Sequence, residues 1–475
     1  MSSDNASPNV LWLCTDQQRY DTIGALGSTL VRTPNIDRLI DNGVAFTHAY
    51  CQSPVCTPSR ASFLTGRYPR TTRCRQNGQK IPSDEVLVSK MFADAGYHCG
   101  LAGKLHLSSC SGGKVESRID DGYHDFRWSH HPQPDWPENA YTQWLHAKGQ
   151  RWEELYSGHA TGYVKEGVPA EFHQTTWCAE MAMDFIRGNQ SRPWLFSFNC
   201  FDPHHAFDPP AEYLSRYNPA DMPLPKRRDG ELAGKTSFQR LDAEWAHNSP
   251  GEFHTGAMTD NDRRQVTAAY YAMCELIDDQ VGRILQTLDE TGQRENTIVI
   301  FMSDHGEMLG DHGIYFKGPH FYDEAIRVPL VISCPQRFQS GTQVNGLTEL
   351  VDLVPTLLDA CELPIPNRVQ GRSLVPHLSG RASANQHRDH VFCEYYNSWT
   401  HHDAYGTMLR TATEKIVVYH GTDQGELYDL ASDPDEFTNL WDSTNHQAMK
   451  LQLMQRCFDA SVFSMDPDPR RLGPF

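Results

Sequence analysis

The stretch NTIVIFMSDHGE, residues 296–307, is an apolar run that ends in polar residues. Two other stretches have the same pattern, NVLWLCTDQ at residues 9–17 and WLFSFNCFDPHH at residues 194–205. Apolar runs of this length are typical of parallel strands that are covered on both faces. Helical patterns lie between them, so the sequence predicts an α/β fold that binds its ligands beyond the carboxyl ends of the strands.

Four helices are predicted from start and stop signals. TPNIDRLIDNG has Thr33 as its N-cap, SDEVLVSKMFADAG has a Ser83 cap, and a long helical pattern follows Thr259. PSRASFLTGR is predicted as a helix that begins at Pro58. Residues 110–167 are rich in Trp, His, Pro and Gly without periodicity, which indicates long surface excursions that shape a pocket.

The pattern changes near Gly380. DHVFCEYY, GTMLRTAT, EKIVVYHG and GELYDLASD are short strand patterns separated by turn signals. We therefore predict a catalytic α/β domain over residues 1–380. A small antiparallel sheet with a helix is predicted over residues 381–475.

The composition excludes several classes of function. The 475 residues have a formal net charge of −18, which argues against general binding to nucleic acid or to an anionic membrane. The 13 cysteines are scattered without CxxC spacing, so most are expected to be small buried side chains. The first apolar run is too short for a signal peptide or a membrane span, which predicts a cytoplasmic protein unless a leader has been removed.

Two strand ends have the residue types of a metal site. Asp16 and Asp304 each follow a predicted strand, and Gln17 and His305 come directly after them. A lone aspartate at a strand end is usually a cap or a turn residue, but two such pairs offer four ligands to one divalent cation. Carboxylate oxygens suit Ca²⁺ or Mg²⁺, whereas imidazole suits Mn²⁺ or Zn²⁺ better.

Cationic side chains follow other strand ends. A lone lysine is most often a solvated charge and a lone histidine a satisfied polar residue. Gathered in one cleft with Arg60 and a metal, they would suit a tetrahedral oxyanion such as a sulfate or phosphate ester. The candidates are Lys104 and His106 in GKLH, His204 and His205 in DPHH, and Lys317 and His320 in YFKGPH.

Cys56 in CTPSR has two interpretations. It is either an ordinary buried thiol or a reactive thiolate beside Arg60 at a helix N-terminus. The loop of a cysteine phosphatase needs its arginine six residues after the cysteine in a glycine-rich turn, whereas Arg60 follows Cys56 by four residues with Pro58 between. These residues alone leave the role of Cys56 undecided.

The chain resembles the type I, formylglycine-dependent sulfatases. CTPSRASFLTGRYP matches their C-x-P-S-R signature and its flank. The resemblance covers nearly the whole chain and includes TPNIDRL, GKLH, DPHHAF, SDHGEMLGDHG, KGPHFYDEAIRVPL and ELYDLASDPDEFTNL in family order. It implies an alkaline phosphatase-like α/β/α sandwich with a large mixed, mostly parallel sheet and a small C-terminal antiparallel sheet.

The resemblance also implies a mechanism. A formylglycine-generating enzyme would oxidise Cys56 to formylglycine, whose aldehyde hydrates to a geminal diol. One hydroxyl of the diol would attack sulfur and expel the alcohol; the other would then lose a proton, and the sulfated hemiacetal would collapse to the aldehyde and sulfate. Position 56 together with Asp16, Gln17, Asp304 and His305 would bind one divalent cation, with Ca²⁺ preferred over Mn²⁺ or Mg²⁺.

The resemblance implies a role for each cationic residue. Arg60 would stabilise the formylglycine side of the site, and Lys104, His204 and Lys317 would bind the sulfate oxygens. His106 would be the base near the diol, and His204 the acid for the leaving group, shared with Lys317.

The Gln17–His305 pair departs from the Asp-Asp and Asp-Asn pairs of many members. It is similar to the branches of the choline sulfatases and the phosphonate monoester hydrolases, so a phosphonate or phosphodiester hydrolase is the alternative to a sulfatase. The expected substrate is a sulfated sugar or oligosaccharide, or an aryl or alkyl sulfate. A homo-oligomer is left open.

Substrate specificity is expected to come from loops. The candidate positions are Trp128, His130, His131 and Trp136, and residues 399–402. Packing within the loop is the competing interpretation for each of them. A catalytically inactive anion-binding or lectin-like module is disfavoured, because every expected catalytic position has a competent residue.

Overall fold

The computed structural model of the chain describes residues 7–110, 114–132, 136–156, 160–161, 163–248, 253–398 and 403–469. The strands in these ranges are β1 (Asn9–Thr15), β2 (Val44–Phe46), β3 (Ala49–Tyr50), β4 (His98–Gly103), β5 (Asp125–Trp128), β6 (Ala160–Thr161), β7 (Val164–Lys165), β8 (Trp194–Asn199), β9 (Thr297–Ser303), β10 (Arg327–Val328), β11 (Leu330–Ser333), β12 (Thr342–Val344), β13 (Thr348–Glu349), β14 (Val391–Tyr396), β15 (Tyr405–Arg410), β16 (Glu414–Tyr419) and β17 (Gly425–Asp429).

The α-helices in the same ranges are α1 (Pro34–Asp41), α2 (Cys56–Thr65), α3 (Pro69–Thr72), α4 (Val88–Asp94), α5 (Ala140–Ala147), α6 (Trp152–Leu155), α7 (Gln174–Gly188), α8 (Ala211–Leu214), α9 (Ser237–Asn248), α10 (Asp260–Glu290), α11 (Asp323–Ile326), α12 (Leu353–Ala360), α13 (Val375–Leu378) and α14 (Gln447–Phe463). None of the described helices combines the length and the apolar character needed to cross a membrane.

The main sheet has eight strands in the order β12-β2-β11-β9-β1-β8-β4-β5. All neighbouring pairs are parallel except the two that β11 makes with β2 and β9. The three apolar runs of the sequence are therefore the three adjacent strands β9, β1 and β8 at the middle of the sheet. The predicted mixed, mostly parallel sheet is confirmed.

Side chains of β1 alternate between two hydrophobic cores. Val10, Trp12 and Cys14 lie in one core with residues of α2, α4 and α12. Leu11 and Leu13 lie in the other with residues of α1, α7 and α10. Because successive side chains of a strand point to opposite faces, a fully apolar strand can serve both cores. Helices thus cover both faces, which confirms the α/β/α sandwich.

The predicted C-terminal sheet is also confirmed. The strands β14, β15, β16 and β17 pair in that order, each antiparallel to the next. Phe392, Leu409 and Ile416 pack with Leu453 and Cys457 of α14 in a separate small core. The division of the chain at residue 380 stays a prediction.

Helix starts differ from the prediction at two places. Helix α4 begins at Val88 after Leu87, so Ser83 is not its cap. Helix α2 begins at Cys56 rather than at Pro58. Thr33 is the N-cap residue of α1 as predicted, although its side chain makes no capping hydrogen bond and its hydroxyl accepts from Gly24 N at 2.8 Å. The predicted start of α10 after Thr259 is confirmed, and the Thr259 side chain caps this helix.

Candidate active site

The site lies where β9, β1 and β8 end. The parallel register pairs Thr15 with Ser303, so the next residues of the two strands, Asp16 and Asp304, come side by side. Asp304 N donates to Thr15 O at 3.2 Å, and Asp16 N donates to Asp202 O at 3.2 Å after β8. Both aspartate side chains are 0% exposed. The polar ends of the three strands therefore meet in one buried place.

Helix α2 presents Cys56 to these aspartates from its first turn. Cys56 Sγ lies 3.1 Å from His305 Nε2 and 3.8 Å from Asp16 Oδ1. One ligand atom from each of Asp16, Cys56, Asp304 and His305 can be chosen so that all four lie within 4.8 Å of one another. The sequence separates these groups widely, but the strand ends and the helix start bring them together.

The donor set fits a divalent cation. Two ligand atoms that each lie about 2.0–2.6 Å from one ion can be up to about 5 Å apart. The four ligand atoms of this group lie within 4.8 Å of one another, so one ion could contact all of them. Burial lowers the pKa of His305, but Asp304 and the Cys56 thiolate raise it more, to about 9. Without an ion, protonated His305 therefore supplies a positive charge beside Asp304 and the Cys56 thiolate, as expected where anionic side chains are arranged to bind a cation.

Cation binding is expected to expel a proton from His305. A metal ligand must be neutral imidazole, and the pKa of about 9 means that His305 is protonated at neutral pH. We expect the affinity for Ca²⁺ or Mn²⁺ to rise with pH and to level off above a pH of about 9. Calorimetric titration of the chain with an unmodified Cys56 measures this, because the thiolate contributes to the shift. An affinity that does not change with pH would contradict it, and in a His305→Asn variant the dependence should disappear.

Gln17 lies one contact away from the four clustered ligands. Its backbone φ is 69°, and its N–H donates to Asp304 Oδ1 at 3.1 Å. The side-chain oxygen accepts from Lys317 Nζ, and the side-chain nitrogen donates to Glu307 Oε2. Gln17 therefore connects the candidate metal ligands to Lys317, which was predicted to bind the sulfate oxygens.

Arg60 points at the carboxylates. Its Nε donates to Asp304 Oδ2 at 2.9 Å, and its Nη2 donates to Asp16 Oδ2 at 3.2 Å. Its Nη1 donates to Lys104 O at 2.8 Å. Arg60 is 1% exposed, so its contacts are those of a buried group that orients both aspartates.

Lys104 also contacts an aspartate, because its Nζ donates to Asp16 Oδ2. Burial lowers the pKa of Lys104, but Asp16 and Cys56 raise it above its usual value, so the ammonium stays charged. The preceding Gly103 has φ 106°, and a Cβ there would lie 1.9 Å from Asn199 O. The glycine of GKLH is thus required by the close approach of β4 and β8.

The cations around Cys56 form an environment for an anion. Burial and Asp16 raise the pKa of the Cys56 thiol, but Lys104, Lys317 and His305 outweigh them and hold it well below its usual value. Negative charge at position 56 is therefore stabilised here, in agreement with the oxyanion chemistry that the sequence indicates.

His106 is a neutral imidazole beside Cys56. Burial and then Lys104 lower its pKa to about 4. Its backbone φ is 59°, and its N–H donates to Glu116 Oε1 at 2.7 Å. Glu116 also accepts from Leu107 N at 2.6 Å and from Trp128 Nε1 at 2.7 Å. Glu116 was missed from the sequence, because no motif marks it within its long loop.

His204 and His205 both reach the site. Their rings stack with centroids 4.1 Å apart, and His205 Nδ1 lies 3.4 Å from Gln17 Nε2. Burial and Lys317 hold the pKa of His204 well below its usual value, and the same causes lower that of His205 to about 3. The resemblance assigns no role to His205, but its ring contacts the Gln17 side chain directly.

The remaining candidate residues differ in how close they lie to the site. Trp128 and Trp136 stack at 5.6 Å and are 2% and 8% exposed, which fits the packing interpretation. The His130 ring lies edge-on against His106 with centroids 4.4 Å apart, so His130 borders the site. His320 lies apart, 3.9 Å from Asp242 Oδ2. Residues 399–402 lie outside the described residues.

Comparison with known protein families agrees with this geometry. The family model described as "Sulfatase" matches residues 8–363, which hold every residue of the site. The chain belongs to the sulfatase family. A second model, "N-sulphoglucosamine sulphohydrolase, C-terminal", matches residues 310–462 and so includes the C-terminal sheet of this family member.

Similar proteins cover nearly the whole chain. An arylsulfatase of Clostridium perfringens is 29% identical over 93% of this chain and 91% of its own length. A choline-sulfatase of Rhizobium meliloti is 26% identical over 91% and 82%. The structure of a phosphonate monoester hydrolase from Silicibacter pomeroyi has a TM-score of 0.85 at 27% identity, covering 97% of this chain and 96% of its own. The alkaline phosphatase-like fold and the resemblance to both branches are confirmed.

Proposed function

We propose that this sulfatase-family chain hydrolyses a sulfate ester with formylglycine, made from Cys56, as the nucleophile. The main support is the position of Cys56 at the start of α2. Its Sγ lies 3.1 Å from His305 Nε2, in the same buried cluster as two aspartates and Lys104. Once formed, formylglycine would supply a geminal hydroxyl that lets the sulfated intermediate break down.

The cation ligands in this proposal are Asp16, Asp304, His305 and position 56, with Gln17 beside them. A bound divalent cation would supply positive charge next to the reacting group. We propose Ca²⁺, with Mn²⁺ or Mg²⁺ as alternatives, because two carboxylates favour a hard cation. Arg60 would keep both carboxylates oriented rather than contact the substrate.

The remaining residues bind the ester and move protons. Lys104 and Lys317 would bind the sulfate oxygens, and His204 would bind them from the β8 side. Neutral His106 would accept the proton that leaves position 56. His204, shared with Lys317, would be the acid that protonates the leaving group, because an anionic substrate would raise the lowered pKa of His204.

Relative rates on matched substrates test the proposal. With aryl sulfate and aryl phosphodiester substrates that share one leaving group, we expect the sulfate to have the higher kcat/KM. The Gln17–His305 pair and the likeness to a phosphonate monoester hydrolase favour the phosphodiester as a second activity. A higher kcat/KM on the phosphodiester would show that the sulfate ester is not the primary substrate.

The natural substrate is proposed as a sulfated sugar or oligosaccharide, or an aryl or alkyl sulfate. A sulfated sugar or oligosaccharide would need recognition beyond the sulfate group. The candidate loop residues are His130, which lies edge-on against His106, and His131, which contacts His130. Maturation by a formylglycine-generating enzyme, a cytoplasmic location and a homo-oligomer stay predictions.

A further inference from the structure

Glu307 is a buried carboxylate beside the site that the proposed chemistry does not use. It lies three residues after Asp304 and is 0% exposed. Its Oε1 accepts from Leu309 N at 2.8 Å and from Phe316 N at 2.5 Å. Its Oε2 accepts from Gln17 Nε2. All three contacts are with donors, which is the pattern that an ionised carboxylate satisfies.

These contacts determine which way the Gln17 amide faces. A glutamine side chain has one accepting end and one donating end, and it can reverse them by rotation about its last bond. Glu307 accepts only, so it holds the donating nitrogen of Gln17. The accepting oxygen then faces Lys317, while the backbone N–H of the same residue donates to the candidate ligand Asp304 at 3.1 Å.

We infer that Glu307 is a positioning residue that orients the side-chain amide of Gln17, with its oxygen toward the cation. This rests on the proposed function only for the presence of a divalent cation at Asp16, Asp304 and His305. Glu307 acts through Gln17, whose side-chain nitrogen it accepts from. The pair would therefore adjust the affinity for the cation.

The Glu307→Gln variant tests the orientation. The new amide oxygen at position 307 would keep the two backbone donors, so the new amide nitrogen would face the nitrogen of Gln17, which would have to reverse. We expect the affinity for Ca²⁺ or Mn²⁺ to fall by about 10–100-fold by calorimetric titration, as for other residues that orient metal ligands. The thermal unfolding midpoint should change little, because the backbone contacts are retained. An unchanged cation affinity would overturn the inference.

The reciprocal variant Gln17→Glu with Glu307→Gln tests the hydrogen-bonded pair. The new amide at position 307 can donate to the new carboxylate at position 17, and that carboxylate can still accept from Lys317. We expect cation affinity at least equal to that of the unsubstituted protein. Failure of the double variant to recover the affinity lost in Glu307→Gln would also overturn the inference.

Two further variants complete the test. Gln17→Glu alone would bring two carboxylates together, so we expect a lower unfolding midpoint in chelator, restored by adding Glu307→Gln; no restoration would count against the pair. Glu324→Gln is the matched control, because it also removes a buried side-chain carboxylate. Glu324 contacts Glu307 through its backbone oxygen, which accepts from Glu307 N and is unchanged by the substitution. Its cation affinity should stay within about twofold of the parent. A parent that binds the cation but hydrolyses no sulfate ester would refute the proposed function alone.

Discussion

Cys56→Ala is expected to lower kcat/KM on an aryl sulfate by about 10⁴-fold or more, as removal of a nucleophile does in other hydrolases. The side chain lies in the first turn of α2, 3.1 Å from His305 Nε2, and the described structure places no other thiol in the cluster of candidate ligands. Steady-state kinetics with the purified variant measures the loss. Retention of full activity would contradict both the formylglycine and the thiolate mechanisms.

Mass spectrometry of the Cys56 peptide distinguishes those two mechanisms. An active preparation should contain the aldehyde, and its activity should follow the converted fraction. An active protein with an unmodified thiol that iodoacetamide alkylates would support a cysteine phosphatase instead. Cys334→Ala is the matched control for Cys56→Ala, because it also removes a buried thiol. Cys334 directly follows β11, and the one hydrogen bond described for its Sγ is to Glu295 O at 3.6 Å.

Arg60→Met is expected to lower the free energy of unfolding by about 3–5 kcal/mol in chelator. The substitution retains much of the side chain but leaves Asp16 and Asp304, both 0% exposed, without the guanidinium that pairs with them. Equilibrium unfolding in denaturant measures the difference. Added Ca²⁺ should recover part of the loss, because a cation would neutralise the same carboxylates.

Arg73→Met is the control for this substitution. Arg73 also pairs with an aspartate, Asp84 at 2.5 Å, but its side chain is 54% exposed. An exposed ion pair contributes below about 1 kcal/mol, so the control should unfold almost as the parent does. A similar loss in both variants would show that Arg60 is not the group that stabilises the buried aspartates.

The sequence predicts the centre of this fold well because the signals there are local. A run such as residues 296–307 contains both the apolar strand and the polar residues that follow it, so β9 and the position of Asp304 can be read together. The role of Cys56 could not be derived in this way. Its spacing from Arg60 argued against a cysteine phosphatase without excluding one, and only the resemblance to a family supplied the formylglycine mechanism.

Contacts between distant residues account for what was missed. Glu307 acts through Gln17, which is 290 residues away in the chain. Thr33 is the N-cap residue that the sequence predicts, but its hydroxyl accepts from Gly24 N, which lies outside the helical pattern. Trp128 and Trp136 stack on each other and are buried, and the sequence could not decide between this packing and a binding surface. Local patterns do not record these partners.

Because Thr15 pairs with Ser303, the length of β1 determines whether Asp16 lies beside Asp304. Deleting one residue within this strand would shift the chain after it by about 3.3 Å and turn each following side chain to the opposite face. Asp16 would then separate from Asp304, and the two sets of apolar side chains would exchange cores. We therefore expect an insertion or deletion at any position inside β1 to disrupt the site and both cores, although the apolar residues of β1 can be exchanged for others of similar volume.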